Sequence, residues 1–114
     1  MAKTPRKFIP QRGDIIWIDF NPQQGKEIMK HRPALVLSSA EYNKIGLALM
    51  CPITSKIKGY PFEVKIKLKE IEGAVLSDQI KNLDWVERKA KLITKCDDKV
   101  MKLVLEMVAA LLIS

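Results

Sequence analysis

Phe62-Glu63-Val64-Lys65-Ile66-Lys67-Leu68-Lys69 alternates apolar and charged residues without a break. Successive side chains of a β-strand point to opposite faces. The stretch therefore predicts a strand with Val64, Ile66 and Leu68 against a core and Glu63, Lys65, Lys67 and Lys69 facing solvent. Upstream, Leu47 to Ile53 reads as an apolar strand ending near Pro52 and Thr54, followed by an exposed loop from Ser55 to Tyr60. Pro33 to Ser38 reads as a buried strand, separated from the next by a turn marked by Asn43 and Gly46. Further back, Gly13 and Asp14 introduce the β-rich run Asp14-Ile15-Ile16-Trp17-Ile18-Asp19-Phe20, which Asn21-Pro22 ends. Asn21 to Lys30 has no apolar period and suits an exposed loop.

Downstream, Glu72-Gly73 gives a turn signal before Ala74 to Leu76, and Val86 to Thr94 offers a further, less regular strand. Asp97 or Asp98 can cap a helix from about Lys99 to Ile113. Its polar stripe is narrow (Lys99, Lys102, Glu106), so it calls for burial on more than one side, by its own sheet and either by a second subunit or by the rest of a monomer core. At this length it is too short to span a bilayer. Several short strands finished by one helix predict a mainly β fold with α, a small and strongly bent sheet or barrel with a C-terminal helix. The 114 residues fit one domain, with a basic tail over residues 1–9 and the helix at about 98–113.

A net charge of +7 on so short a chain implies an anionic partner. The excess is local: residues 56 to 69 carry a surplus of +4 and residues 81 to 95 a surplus of +3. Nucleic acid or an acidic protein tail fits these faces, and no membrane-binding amphipathic helix competes with them. Cys51 and Cys96 lie outside any CxxC or His-rich context, so free thiols are expected rather than a zinc site or a disulfide. The basic start is not followed by an apolar segment of the kind found in secretory signals, and a cytoplasmic protein is expected.

The one histidine of the chain stands in His31-Arg32-Pro33, at the head of the apolar run Ala34-Leu35-Val36-Leu37. Proline holds the preceding arginine extended, so the Arg32 side chain leaves the strand start in a defined direction. With these residues in view, the chain resembles the MazF/PemK-like toxins, the endoribonucleases of bacterial toxin–antitoxin modules. The resemblance runs through Gly13-Asp14-Ile15-Ile16-Trp17, Glu27 to Ser38, Pro52-Ile53-Thr54, Lys58-Gly59-Tyr60-Pro61-Phe62-Glu63-Val64 and Leu76-Ser77-Asp78-Gln79-Ile80-Lys81. It covers roughly residues 10 to 112. It implies an SH3-like, partly open β-barrel with a C-terminal helix, acting as a homodimer. It further implies cleavage of single-stranded RNA, usually mRNA, at short motifs without metal or other cofactor, and restraint by a cognate antitoxin with an acidic, disordered tail.

Cleavage of this kind needs a base for the 2′-hydroxyl, an acid for the leaving 5′-oxygen and cationic stabilisation of the phosphorane. Arg32 has the planar, permanently charged fork that matches phosphate oxygens. By resemblance it carries the catalytic weight, with Thr54 beside it donating to a non-bridging oxygen and Glu27 as proton acceptor. His31 has the more suitable intrinsic pKa, but strand alternation points it away from Arg32, and a structural or substrate-positioning role is expected for it rather than that of general acid or base. Lys56 and Lys58 can track the RNA backbone, Asp78 and Gln79 can read base edges, and Trp17 can stack on unpaired bases or belong to a core or dimer surface. Two other classes stay open at this stage. One is a toxin of the same shape that grips a protein such as DNA gyrase without catalysis; the other is a passive nucleic-acid-binding barrel.

Overall fold

Strand β3 (Leu47–Thr54) is the spine of the molecule, because it is long enough to serve three neighbours. The computed structural model describes residues 8–20 and 31–113. On one edge β3 pairs with β2 (His31–Val36) through Ala34↔Pro52, Leu35↔Cys51 and Val36↔Met50. On its other edge it pairs first with β6 (Lys81–Asp84) and then, at Ile53↔Val75 and Thr54↔Ala74, with β5 (Glu72–Leu76). Pro52 has no N–H to give to a ladder, and it sits where β6 has ended and β5 has not begun. Strand β1 (Asp14–Asp19) pairs with β2 and with β7 (Lys91–Lys95), and β4 (Glu63–Lys67) closes the far edge on β5. All these pairings are antiparallel, in the order β4-β5-β3-β2-β1-β7 with β6 beside β3.

The curled sheet buries both faces, which explains why β1, β2 and β3 read as nearly continuous apolar runs while β4 alternates. Ile15, Leu35, Cys51, Ile53, Val64, Ile66 and Val75 form one core under the C-terminal helix α2 (Asp98–Ile113), which contributes Met101 and Val104. Ile16, Ile18, Ala34, Val36, Ala48 and Met50 form the other, closed by Leu83 and Trp85. Each fully buried Ile or Leu contributes about 1.5–3 kcal/mol by leaving water. The expected bent β-sheet with a C-terminal helix is what the chain forms.

Three local expectations are corrected. Asn43 is not a plain turn residue but ends a short helix α1 (Ala40–Asn43) and is fully buried. Its amide donates to the carbonyls of Pro10 and Ser38 at 2.7 and 3.0 Å and accepts the Ser38 hydroxyl, while its own carbonyl accepts the Trp85 indole N–H at 2.9 Å. The 86–94 segment is not one strand. The Asp84 carboxylate accepts the N–H groups of Val86 and Glu87 at 3.0 and 2.8 Å, which turns the chain after β6, and Lys89 at φ 51° completes the reversal into β7. Glu72-Gly73 is not a turn either, since both residues belong to β5. A Cβ on Gly73 would lie 2.1 Å from the Thr54 carbonyl oxygen, so the glycine serves a close approach of two backbones.

Helix α2 begins where expected, with the Asp97 carboxylate accepting the Val100 N–H at 3.2 Å. Among the described residues it is covered on one side; Leu103, Leu111, Leu112 and Ile113 are exposed. No described helix is long and apolar enough to cross a membrane.

Candidate active site

Arg32 lies on β2 and Thr54 at the end of β3, and the register between the two strands brings them together. Carrying the ladder two residues beyond Ala34↔Pro52 sets Arg32 opposite Thr54, on the same face of the sheet. Both line a cleft of about 350 Å³, with Ser55, Lys56, Ile71 and Glu72 around them. The guanidinium of Arg32 makes no ion pair or hydrogen bond among the described residues, and Arg32 is exposed, so its donors are available to an anion. The Thr54 Oγ1 accepts the Lys56 N–H at 3.0 Å. That bond uses an oxygen lone pair and leaves the hydroxyl proton to be donated into the cleft.

A second groove of about 250 Å³ shares Thr54 and Lys56 with the first. It is lined by Lys58, Asp78 and Gln79, and also by Tyr60, Phe62, Glu63 and Leu76. Among the described residues, the ion pairs are Lys44–Glu41 and Lys95–Asp14, both away from these clefts, so neither Lys56 nor Lys58 is held in an ion pair there. Asp78 is close enough to raise the Cys51 thiol pKa, although burial is the larger cause; together they push it up to about 12. Burial first, then Asp97 and Asp98, push Cys96 up to about 11. Both thiols are free and protonated at neutral pH, and neither offers a thiolate nucleophile.

Trp17 and His31 line neither cleft. They stack on each other, ring centroids 6.1 Å apart and planes within 8°, on the β1–β2 ladder where Trp17 pairs with Pro33 and His31 with Asp19. Adjacent strand residues face opposite ways, so His31 points away from Arg32 as its sequence position suggests. Trp17 is 41% exposed and is not a core residue. Arg88 fastens the end of β1 by donating to the carbonyls of Asp19 and Phe20 at 3.1 and 2.8 Å. Glu27 lies outside the described residues. Among the described residues, no group of three or more His, Cys, Asp or Glu is placed to hold a metal ion.

Sequence reasoning missed Glu72, Tyr60, Phe62 and Glu63. Glu72 is disguised as part of a turn signal, and Glu63 as one more solvent-facing member of an alternating strand. Tyr60 and Phe62 flank Pro61 at a loop end, where an aromatic residue gives no indication of which cleft it will line.

Residues 11–112 match the model of the PemK-like, MazF-like toxins of type II toxin–antitoxin systems. The chain belongs to this family. It is 47% identical over 85 residues to the endoribonuclease toxin MazF of Escherichia coli strain K12, covering 74% of this chain and 77% of that protein. Its structure is similar to that of MazF from Deinococcus radiodurans, with a TM-score of 0.83 and 41% identity over 93% of this chain and 98% of that one. A MazE–MazF complex from the same organism matches with a TM-score of 0.82 and 37% identity, covering 93% of this chain and 97% of that one. The PemK/MazF family therefore accounts both for the half-barrel with its C-terminal helix and for the order of the motifs along the chain.

Proposed function

We propose that this chain is the toxin of a type II toxin–antitoxin module and a sequence-specific endoribonuclease that cuts single-stranded RNA without a metal ion, stopping translation and growth. The observation that carries the reading is the cleft that Arg32, Thr54 and Lys56 share in a chain of this family. The RNA supplies its own nucleophile. Its 2′-hydroxyl attacks the adjacent phosphorus, the bond to the 5′-oxygen breaks, and the products carry a 2′,3′-cyclic phosphate and a 5′-hydroxyl. Arg32 spans the non-bridging oxygens as negative charge builds on them, and the Thr54 hydroxyl donates to one of them.

Glu27 is assigned as the acceptor of the 2′-hydroxyl proton. Glu72 lines the Arg32–Thr54 cleft with no partner of its own among the described residues, which makes it the alternative acceptor. The pH dependence of kcat in Glu27→Gln and Glu72→Gln decides between them, because loss of the true base removes the acid limb. Lys56 and Lys58 follow the backbone, Asp78 and Gln79 read bases in the adjoining groove, and the Trp17–His31 stack offers a platform for an unpaired base. The whole chain acts as one toxin domain in the cytoplasm. A second copy covers the exposed apolar side of α2, and a cognate antitoxin lays an acidic tail along the basic clefts.

The test is a long unstructured RNA in excess EDTA, cut by wild type and by Arg32→Ala, with the fragments sequenced and their ends analysed. Discrete cuts with cyclic phosphate ends, absent in the variant, are expected. Intact RNA with a folded, antitoxin-free chain would return the protein to the gyrase-binding or passive-binder classes, which no feature of the clefts favours.

A further inference from the structure

We infer that Glu63 is a positioning residue for the reaction, holding the loop that orients the Thr54 hydroxyl. The inference rests on the ribonuclease reading above and adds a residue to it. Strand β4 alternates, and its outward residues Lys65 and Lys67 are exposed, but Glu63 is half-buried. Its side chain turns back over the loop after β3. Oε1 accepts the Gly59 N–H at 2.8 Å and the Lys58 N–H at 3.1 Å, and Oε2 lies 3.3 Å from the same Lys58 nitrogen. Gly59 has φ +81°, a left-handed conformation that lets two successive N–H groups converge on one anion.

A carboxylate beside a groove built for a polyanion opposes binding unless its charge is taken up locally. Here two backbone donors take it up, and charge-assisted bonds of this kind are the stronger ones. Five residues before Gly59, the same loop begins with the Lys56 N–H donating to the Thr54 Oγ1. The segment from Thr54 to Gly59 is therefore pinned at one end by the threonine hydroxyl and at the other by Glu63. The base of β4 is itself held, since the Phe62 carbonyl accepts the Ser77 N–H at 3.2 Å and the Ser77 hydroxyl at 2.6 Å. Releasing the Glu63 end frees the Lys56 N–H to leave Oγ1, and the hydroxyl then loses its fixed direction towards the phosphate. The same release loosens Lys56 and Lys58.

Two separable kinetic effects follow. Loosened lysines raise KM whatever stands at position 54, whereas a misdirected hydroxyl lowers kcat only when the hydroxyl exists. The experiment measures kcat and KM on a short RNA containing one cleavage motif, for wild type, Glu63→Ala, Thr54→Ala and the double variant, with thermal melting as the check on folding. With Thr54 present, Glu63→Ala should lower kcat about 10-fold or more, since small misplacements of catalytic groups carry costs of that size. In the Thr54→Ala background it should change kcat by less than about 3-fold, the signature of two residues acting through one contact. Glu63→Gln, which keeps one acceptor oxygen, should recover part of the loss, and it takes the place of Glu63→Ala in the cycle if the alanine variant does not fold. Equal kcat losses in both backgrounds, or no loss in either, overturn the inference while leaving the ribonuclease reading intact. A wild-type chain that leaves RNA uncut overturns both.

Discussion

The role proposed for Thr54 is donation to phosphate, and the Lys56 N–H on its Oγ1 leaves the hydroxyl proton available for that bond. That proton makes no hydrogen bond among the described residues. Thr54→Val keeps the branched shape but removes the donor, so kcat should fall about 100-fold, the size of effect seen on losing one oxyanion donor, with little change in melting temperature. Thr54→Ser retains the hydroxyl and should keep most of the activity; a valine variant as active as the serine one would remove Thr54 from the chemistry. Cys51 illustrates a residue whose character is set by burial. Its thiol ionises near 9.0 when unperturbed but only near about 12 in the fold, and Cys96 near about 11. The folded chain holds these protons more tightly than the unfolded one, so the stabilisation is complete below about pH 9 and is lost as pH climbs towards the folded values. Urea melts at pH 8 and pH 10.5 should show this loss, and native Cys51 should resist thiol reagents at pH 8.

At the scale of elements, β5 carries the point most easily misread. A Glu-Gly pair has the local signature of a turn, yet Gly73 lies inside a strand because the Thr54 backbone passes too close for a side chain. Nothing within a few residues of Gly73 carries that information, since the obstructing carbonyl comes from 19 positions earlier. Gly73→Ala must therefore push β5 away from the end of β3. The expected cost is about 1–3 kcal/mol in urea denaturation, as for other overpacked sites, with a loss of kcat because Thr54 moves with its carbonyl. Unchanged melting and turnover would show that the two strands can separate freely. Asn43 poses the same difficulty: its turn-forming chemistry is visible locally, but its burial beneath Trp85 is not. Asn43→Ala leaves the Ser38 hydroxyl and the Pro10 carbonyl short of partners and should cost about 1–3 kcal/mol or more. By contrast, β4 and α2 were legible because one periodic face of each meets the core, and periodicity is a local property.

For the molecule as a whole, the sheet converts separate pieces of sequence into one charged surface. Arg32 and Thr54 are 22 residues apart and meet only because the β2–β3 register is fixed by buried pairs such as Leu35↔Cys51. Spacing alone does not encode that meeting; the family resemblance suggested it, and the register supplies the physical reason. The surplus of positive charge was legible from composition, whereas the meeting of Arg32, Lys56 and Lys58 around two joined clefts, with Glu63, Glu72 and Asp78 beside them, depended on the fold. Arg32, Lys56 and Lys58 stand there without anionic partners among the described residues, and the chain carries a net charge of +7. If bound RNA has about four phosphates neutralised, each releases roughly 0.7 of a counterion from a single strand, and log affinity should fall with log salt at a slope of about −3. Fluorescence titration of the wild-type chain with a labelled RNA that carries 2′-deoxy sugars in the cleavage motif, and so lacks the nucleophile, measures that slope between low and moderate salt. Lys58→Ala should make it shallower by about 0.7, because one phosphate contact is removed, and should weaken all sequences alike. A slope near zero would mean that bases and aromatic stacking, rather than the basic clefts, hold the strand, and it would shift the binding surface to the Trp17–His31 stack.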